Sequence, residues 1–265
     1  MDRAKHPKQP ETELTLKKLP LKKDTRRIAL ITGANKGIGF EVAQQLGKQG
    51  VHVLIGARNS SRGKIAAAQL TSQRLLATYL PLDVTDRVSI QKAATQISKD
   101  FGKLDILVNN AGISGGTIGT PPSQTDLNVV RQVYETNVFG ATSVTLAMLP
   151  LLRNSDRAHI VNVSSSLGSL TMALDPKDEF YSINNLPYQS SKAALNAITI
   201  EFAKELEAEG IKVNAACPGF ADTDFNGHRG TKSAKQAATI IVKLSTLGTD
   251  GPTGTFQNED GELPW

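Results

Sequence analysis

Short apolar runs alternate along this chain with longer stretches whose apolar positions recur three and four residues apart. RIALITG (27–33) is a β-branched run stopped by glycine, which predicts a buried strand. GIGFEVAQQLGKQG (37–50) has helical spacing and ends at Gly50, which predicts a helix. The same pattern predicts strands at 51–58, 75–84, 103–112, 157–166, 210–219 and 254–257. Helices are expected at 60–72, with Ser60 and Ser61 as candidate caps, and at 86–102, 125–153, 187–209 and 232–247.

Strands that alternate with amphipathic helices form parallel βαβ units, buried on both faces. The expected fold is therefore α/β, a single-domain, Rossmann-like, doubly wound parallel sheet of about seven strands with helices on both faces. No internal linker or repeat divides residues 26–265, and residues 1–25 read as a mobile basic arm. Ligands of such sheets bind beyond the carboxyl ends of the strands.

Charge changes this picture little. The formal net charge is +5, and residues 1–27 hold nine Lys or Arg against four Asp or Glu, the whole of that excess. The remainder is balanced, so a nucleic-acid face is not indicated. No apolar run approaches the length of a membrane span, and no membrane association is expected. The single cysteine, Cys217, fits a reducing compartment, and a cytoplasmic location is expected.

The chemistry collects at the expected strand ends. TGANKGIG (32–39) joins the first strand to the first helix. Gly33 would permit a tight turn, Gly37 a close phosphate approach, and Gly39 helix–strand packing, with a pyrophosphate at the helix N-terminus. An NAD site usually carries an acid after the second strand. Here Ala57 and Arg58 follow, and Lys36 lies within the turn. Two cations suit a ribose 2′-phosphate, so NADP(H) is expected, against the alternative that both are surface charges. Asp83 either accepts from adenine or caps the next segment. Asn109 to Gly112 either lines the adenosine side of the cleft or makes a turn.

In LPYQSSKAAL (186–195), Tyr188 and Lys192 stand four apart, on one helix face. A nearby ammonium favours the phenolate and would lower the tyrosine pKa, tuning it as an acid toward a carbonyl oxygen. Ser164, Ser165 and Ser166 end the fifth strand at the same sheet edge, and one hydroxyl would bind a substrate oxygen. Asn137, in an apolar helical stretch, would hold a water that passes protons toward Lys192.

TGANKGIG, LDV, NNAG, NVFG, NVSSSLG, YQSSK and CPGFADT, in this order, resemble the short-chain dehydrogenase/reductase family over about 26–257. The likeness is greatest to its NADPH-dependent carbonyl reductases. The resemblance implies that Tyr188 is the catalytic acid/base and that Lys192 lowers its pKa and holds the nicotinamide ribose. Ser165 would orient the carbonyl and Asn137 would serve the proton relay. It implies a cofactor set of Gly33, Asn35, Lys36, Gly37, Ile38 and Gly39 in the turn and Arg58 after strand two. Asp83, Val84, Asn110, Ala111 and Gly112 follow strands three and four. Tyr188, Lys192, Pro218, Gly219 and Thr223 complete that set, with no metal.

The expected activity is NADPH-dependent reduction of a small ketone or aldehyde. The alternatives are an NADP-dependent alcohol dehydrogenase, a ketoacyl reductase, an NADPH-sensing module without turnover, or a scaffold docking through the arm. TMALDPKDEFYSINNL (171–186) lengthens the Ser-to-Tyr spacing, as in monomeric carbonyl reductases, which favours a monomer over a homo-oligomer. The segment after Thr223, DFNGHRG, is short and implies an open pocket with broad substrate tolerance.

Overall fold

The computed structural model describes residues 26–116 and 118–265; the basic arm at 1–25 lies outside the described residues. The first strand, β1 (Ile28–Thr32), leads into α1 (Gly37–Lys48), then β2 (His52–Ala57), α2 (Ser60–Ser72), β3 (Ala77–Pro81), α3 (Arg87–Phe101) and β4 (Ile106–Asn109). A longer crossover follows, made of α4 (Leu127–Tyr134) and α5 (Ala141–Leu152), before β5 (His159–Val163). After the short α6 (Leu170–Ala173) and the long α7 (Leu186–Leu206) come β6 (Lys212–Ala216), the two-residue strands β7 (Ala221–Asp222) and β8 (Lys232–Ser233), α8 (Ala234–Ser245) and β9 (Phe256–Gln257).

Seven of these strands form one parallel sheet in the order β3-β2-β1-β4-β5-β6-β9. The chain leaves β1 in one direction for β2 and β3, then returns to the other side for β4. The order therefore reverses between β1 and β4, which opens a crevice there.

Alternation along each strand explains the two layers. Leu30, Leu54 and Leu107 point to one face and pack with Ile90 and Ile97 of α3, Val144 and Met148 of α5, and Phe202 and Leu206 of α7. Ile31, Ile55 and Val108 point to the other and meet Val42 and Leu46 of α1, Leu70 of α2, and Ile240 and Ile241 of α8. Each large aliphatic side chain so buried is worth about 2 kcal/mol.

Caps decide where the helices begin. Asn59, not Ser60 or Ser61, caps α2 by accepting from Arg62 N at 2.9 Å; the serines already lie inside the first turn. Asp86, Asp126 and Asn185 cap α3, α4 and α7, and Ser233 with Gln236 forms a reciprocal box on α8. Each cap contributes about 1 kcal/mol. The helix expected over 125–153 is not uniform: residues 135–140 form a π-helical turn between α4 and α5.

At the amino ends of the strands, polar groups satisfy one another. The Asp105 carboxylate accepts from Ile28 N (2.8 Å), Ser155 Oγ (2.6 Å) and Lys103 Nζ (3.0 Å). His159 is fully buried, with Nδ1 3.0 Å from Arg27 Nη2 and Nε2 3.1 Å from the Leu247 carbonyl. A guanidinium can only donate, so the imidazole is neutral with its proton on Nε2. Burial, reinforced by Arg27, pushes its pKa down to about 4.

Candidate active site

At the other end of the sheet, the turn from β1 to α1 forms one wall of the crevice. Gly33 and Gly37 have φ of 66° and 58°, which side chains with a Cβ resist. At Gly39 an added Cβ would lie 2.5 Å from Asn110 Nδ2, so only glycine lets this helix meet the turn after β4. Asn110 binds that turn to β1 through Thr32: its side chain donates to the Thr32 carbonyl (2.8 Å) and its backbone N to Thr32 Oγ1 (3.0 Å). Ala111 N also donates to Thr32 Oγ1, at 2.9 Å. Among the described residues no side chain caps α1, and its first turn has no acid, which leaves its N–H groups and dipole to an anion. Asn35 and Ile38 flank this turn half-buried, and Arg58 is exposed at the end of β2.

The catalytic candidates come from three elements. Asn185 and Pro187 start α7, so Tyr188 and Lys192 project from its first two turns. Lys192 is 5% exposed and its Nζ donates to the Val163 carbonyl at 2.7 Å, at the end of β5. That Nζ lies 5.5 Å from the centre of the Tyr188 ring. Ser165 lies two residues beyond β5; its Oγ accepts from Leu167 N (3.3 Å) and is near enough to the Tyr188 phenol to lower its pKa. A Cβ on Gly168 would be 2.6 Å from Lys192 Cβ, so glycine here allows the turn after Ser165 to seat against α7.

The three serines thus separate. Ser164 Oγ donates to Asn196 Oδ1 (2.6 Å) in the interior, Ser166 offers its backbone N to Cys217 Sγ (3.2 Å), and Ser165 alone among them faces the phenol. Asn137 lies in the π-turn, buried. Its Oδ1 accepts from Ile113 N (2.9 Å), and its Nδ2 donates to the Ile113 carbonyl (3.0 Å) and Ser191 Oγ (3.0 Å). Gly112 sits between Asn137 Oδ1 and Lys192 Nζ, 3.3 and 3.8 Å from where its Cβ would be. Single π-turns inside α-helices are frequent at functional sites.

Some expectations are changed by the geometry. The Tyr188 pKa was expected to fall; burial raises it, and the Ser165 hydrogen bond only partly opposes this. The lysine does not reverse the direction because its ammonium is turned to the Val163 carbonyl and is itself destabilised by burial, its pKa lowered to about 8. Lys36 is not free: its Nζ is 2.6 Å from Asp224 Oδ2. Asp83 Oδ1 accepts from Thr85 N (3.0 Å) and Thr85 Oγ1 (2.8 Å), which fixes the turn ahead of α3. Asn109 faces the core, where its Nδ2 meets Thr145 and Asn162. Val84 is buried against Gly140 of the π-turn, and Gly219 and Thr223 lie beyond β6, Thr223 beside Gly37. Pro218 joins β6 to this segment.

Two contacts had no signal in the one-dimensional pattern. Cys217 is buried behind the serine turn, and the Phe225 ring lies 5.6 Å from that of Tyr188 at 58°. A cavity of about 420 Å³ opens beside Phe225, lined also by Ser114, Gly116, Ile118, Asn226, Gly227 and Arg229. A phenol acid, a serine donor and a cation beside an anion-accepting turn can transfer a proton to a carbonyl oxygen next to a bound dinucleotide.

The model of the short chain dehydrogenase family matches residues 27–234. A short-chain dehydrogenase of Penicillium roqueforti, anuI, is 43% identical over 232 residues, which is 85% of this chain and 90% of that protein. The Bos taurus protein named NADPH carbonyl reductase 1 is 32% identical over 276 residues, covering 90% and 98% of the two chains. The crystal structure of an NADPH-bound carbonyl reductase from chicken fatty liver matches with a TM-score of 0.79 at 28% identity, over 91% and 99%. The chain belongs to the short-chain dehydrogenase family and is an oxidoreductase acting between hydroxyl and carbonyl groups.

Proposed function

We propose that the protein is an NADPH-dependent carbonyl reductase that reduces small ketones or aldehydes. The observation that carries the reading is the convergence of Ser165, Tyr188 and Lys192 at the sheet edge beside the glycine turn. The residues present fit a phosphorylated dinucleotide. Among the described residues no side chain caps the N-terminus of α1, and Arg58 stands where an NAD site would carry an acid. Gly37, Gly39 and Gly219 keep the floor of the crevice low, while Asn110, Ala111, Gly112 and Thr223 would border the cofactor and Asp83 and Val84 its adenine end. When bound, the cofactor supplies a hydride to the carbonyl carbon.

Tyr188 gives its proton to the carbonyl oxygen. Its raised pKa keeps it protonated at neutral pH, the form a reductase needs. Ser165 donates to the same oxygen and fixes the carbonyl within reach of the phenol. Lys192, as a cation, stabilises the phenolate that is left. Asn137 holds the loop at Ile113 against α7 and sets the floor through which Lys192 would be reprotonated. Phe225 covers the phenol and limits water. The 420 Å³ cavity is open on one side and mixes apolar Ile118 and Phe225 with polar Ser114, Asn226 and Arg229, which suits varied carbonyl compounds rather than one. The reading includes a cytoplasmic monomer, which fractionation and sedimentation would check.

Tyr188→Phe tests the proposal. Carbonyl-dependent NADPH oxidation should fall about 1,000-fold, as for loss of a general acid, with the NADPH dissociation constant changed less than threefold. Retention of more than a tenth of the wild-type kcat would remove Tyr188 from this role.

A further inference from the structure

Between β7 and β8 the chain loops back over the glycine turn, its ends joined by the pairing of Ala221 with Lys232 and Asp222 with Ser233. The tip of this loop is held by charge. Asp224 Oδ2 lies 2.6 Å from Lys36 Nζ, and Asp224 Oδ1 lies 2.8 Å from His228 Nε2. His228 Nδ1 is in turn 2.7 Å from Asp222 Oδ1, an arrangement reached with His228 in the left-handed region at φ 60°. The next side chain, Phe225, lies on Tyr188. Adjacent residues of one loop therefore touch the cofactor turn and the catalytic phenol.

We infer that Asp224 sets cofactor selectivity by competing with the ribose 2′-phosphate for Lys36, so that phosphate binding loosens the Asp224–Phe225 segment over Tyr188. The inference rests on the NADPH reading above. Lys36 carries one positive charge, and the Asp224 carboxylate holds it at hydrogen-bond distance. A phosphate brings more charge and more acceptor oxygens than a carboxylate and displaces it. The ribose hydroxyl of NADH cannot, so with NADH the pair stays closed. The contest therefore subtracts from NADPH affinity alone. Both partners are about half exposed, at 55% and 56%, so the effect is of the order of a surface ion pair.

The test uses the full-length protein and dissociation constants for NADPH and NADH from cofactor fluorescence. Asp224→Asn preserves shape and removes the charge. It should tighten NADPH by about two- to fivefold and leave NADH within error. Lys36→Met should weaken NADPH selectively, and in the double variant the Asn substitution should add nothing. In the wild type, adenosine 2′,5′-bisphosphate should raise amide exchange across 222–229, whereas adenosine 5′-phosphate should not. Equal changes for NADPH and NADH in Asp224→Asn, or weaker NADPH binding, would overturn the competition while leaving Lys36 as the phosphate ligand. An unchanged NADPH/NADH ratio in Lys36→Met would overturn both the competition and the phosphate role on which it rests.

Discussion

Buried polar side chains cluster at both ends of the sheet, and the two clusters differ in how far they satisfy themselves. At the amino ends, Asp105 accepts from three donors, and His159 uses both ring nitrogens. At the carboxyl ends, Lys192 has, among the described residues, one carbonyl acceptor for an ammonium that can donate three times. The Tyr188 ring meets that of Phe225, which in turn lines an open cavity. Burial displaces the pKa of His159 as strongly as those of Tyr188 and Lys192. A perturbed pKa therefore does not by itself mark the active site. What distinguishes the carboxyl end is spare donor capacity next to space that a ligand can enter.

If the amino-end cluster serves stability alone, breaking it should unfold the protein without touching chemistry. Asp105→Ala leaves Ile28 N and Ser155 without their buried acceptor and should cost about 4 kcal/mol, since removing one member of a buried charged network is expensive. Denaturant titration measures the loss. The kcat of the remaining folded protein should match wild type, and a reduced kcat at full folding would mean that the two ends are coupled.

Acid sharpens the same contrast. The folded His159 pKa of about 4 lies below its ordinary value of 6.5. Between those pH values the unfolded chain binds a proton that the folded chain refuses, so stability falls as pH drops through the window. The full loss approaches about 3 kcal/mol near pH 4, while above 6.5 this group has no effect. In His159→Gln, whose amide can keep one contact, the slope of stability between pH 6.5 and 4 should flatten by nearly one proton. An unchanged slope would show that other groups set the acid limit.

How much of this could be read in advance follows the range of the interactions. Strand and helix order was legible because alternation and helical spacing are local, and the parallel sheet followed from their sequence. Tyr188 and Lys192 were legible as a pair because four residues on a helix fix a common face. The choice of Ser165 over Ser164 rested on resemblance, and its physical cause, the bond from Ser164 to Asn196, spans 32 residues. The engagement of Lys36 by Asp224 spans 188, and Phe225 reaches Tyr188 from another element. The direction of the tyrosine pKa was misjudged because burial, which spacing does not report, outweighs a cation held 5.5 Å from the ring and turned toward a carbonyl.

The smallest expected effect on stability has the opposite sign and separates the two ends most cleanly. Lys192 is buried with a pKa lowered to about 8 from an ordinary 10.5. Between about 8 and 10.5 the unfolded chain holds a proton that the folded chain has released, so wild-type stability rises with pH across that window. At pH 7 the same gap is a deficit of up to about 3 kcal/mol. Lys192→Met removes the deficit but strands the Val163 carbonyl and loses its hydrogen bond, which costs about 2 kcal/mol. The variant should therefore be about 1 kcal/mol more stable than wild type at pH 7, and this advantage should shrink and reverse as pH rises toward 10. On the proposed mechanism its kcat should fall about 100-fold, and wild-type kcat should itself decline above about pH 8, as the ammonium proposed to stabilise the phenolate is lost. A variant less stable at pH 7, with a gap that does not change with pH, would show that Lys192 is held like Asp105, for the fold rather than against it.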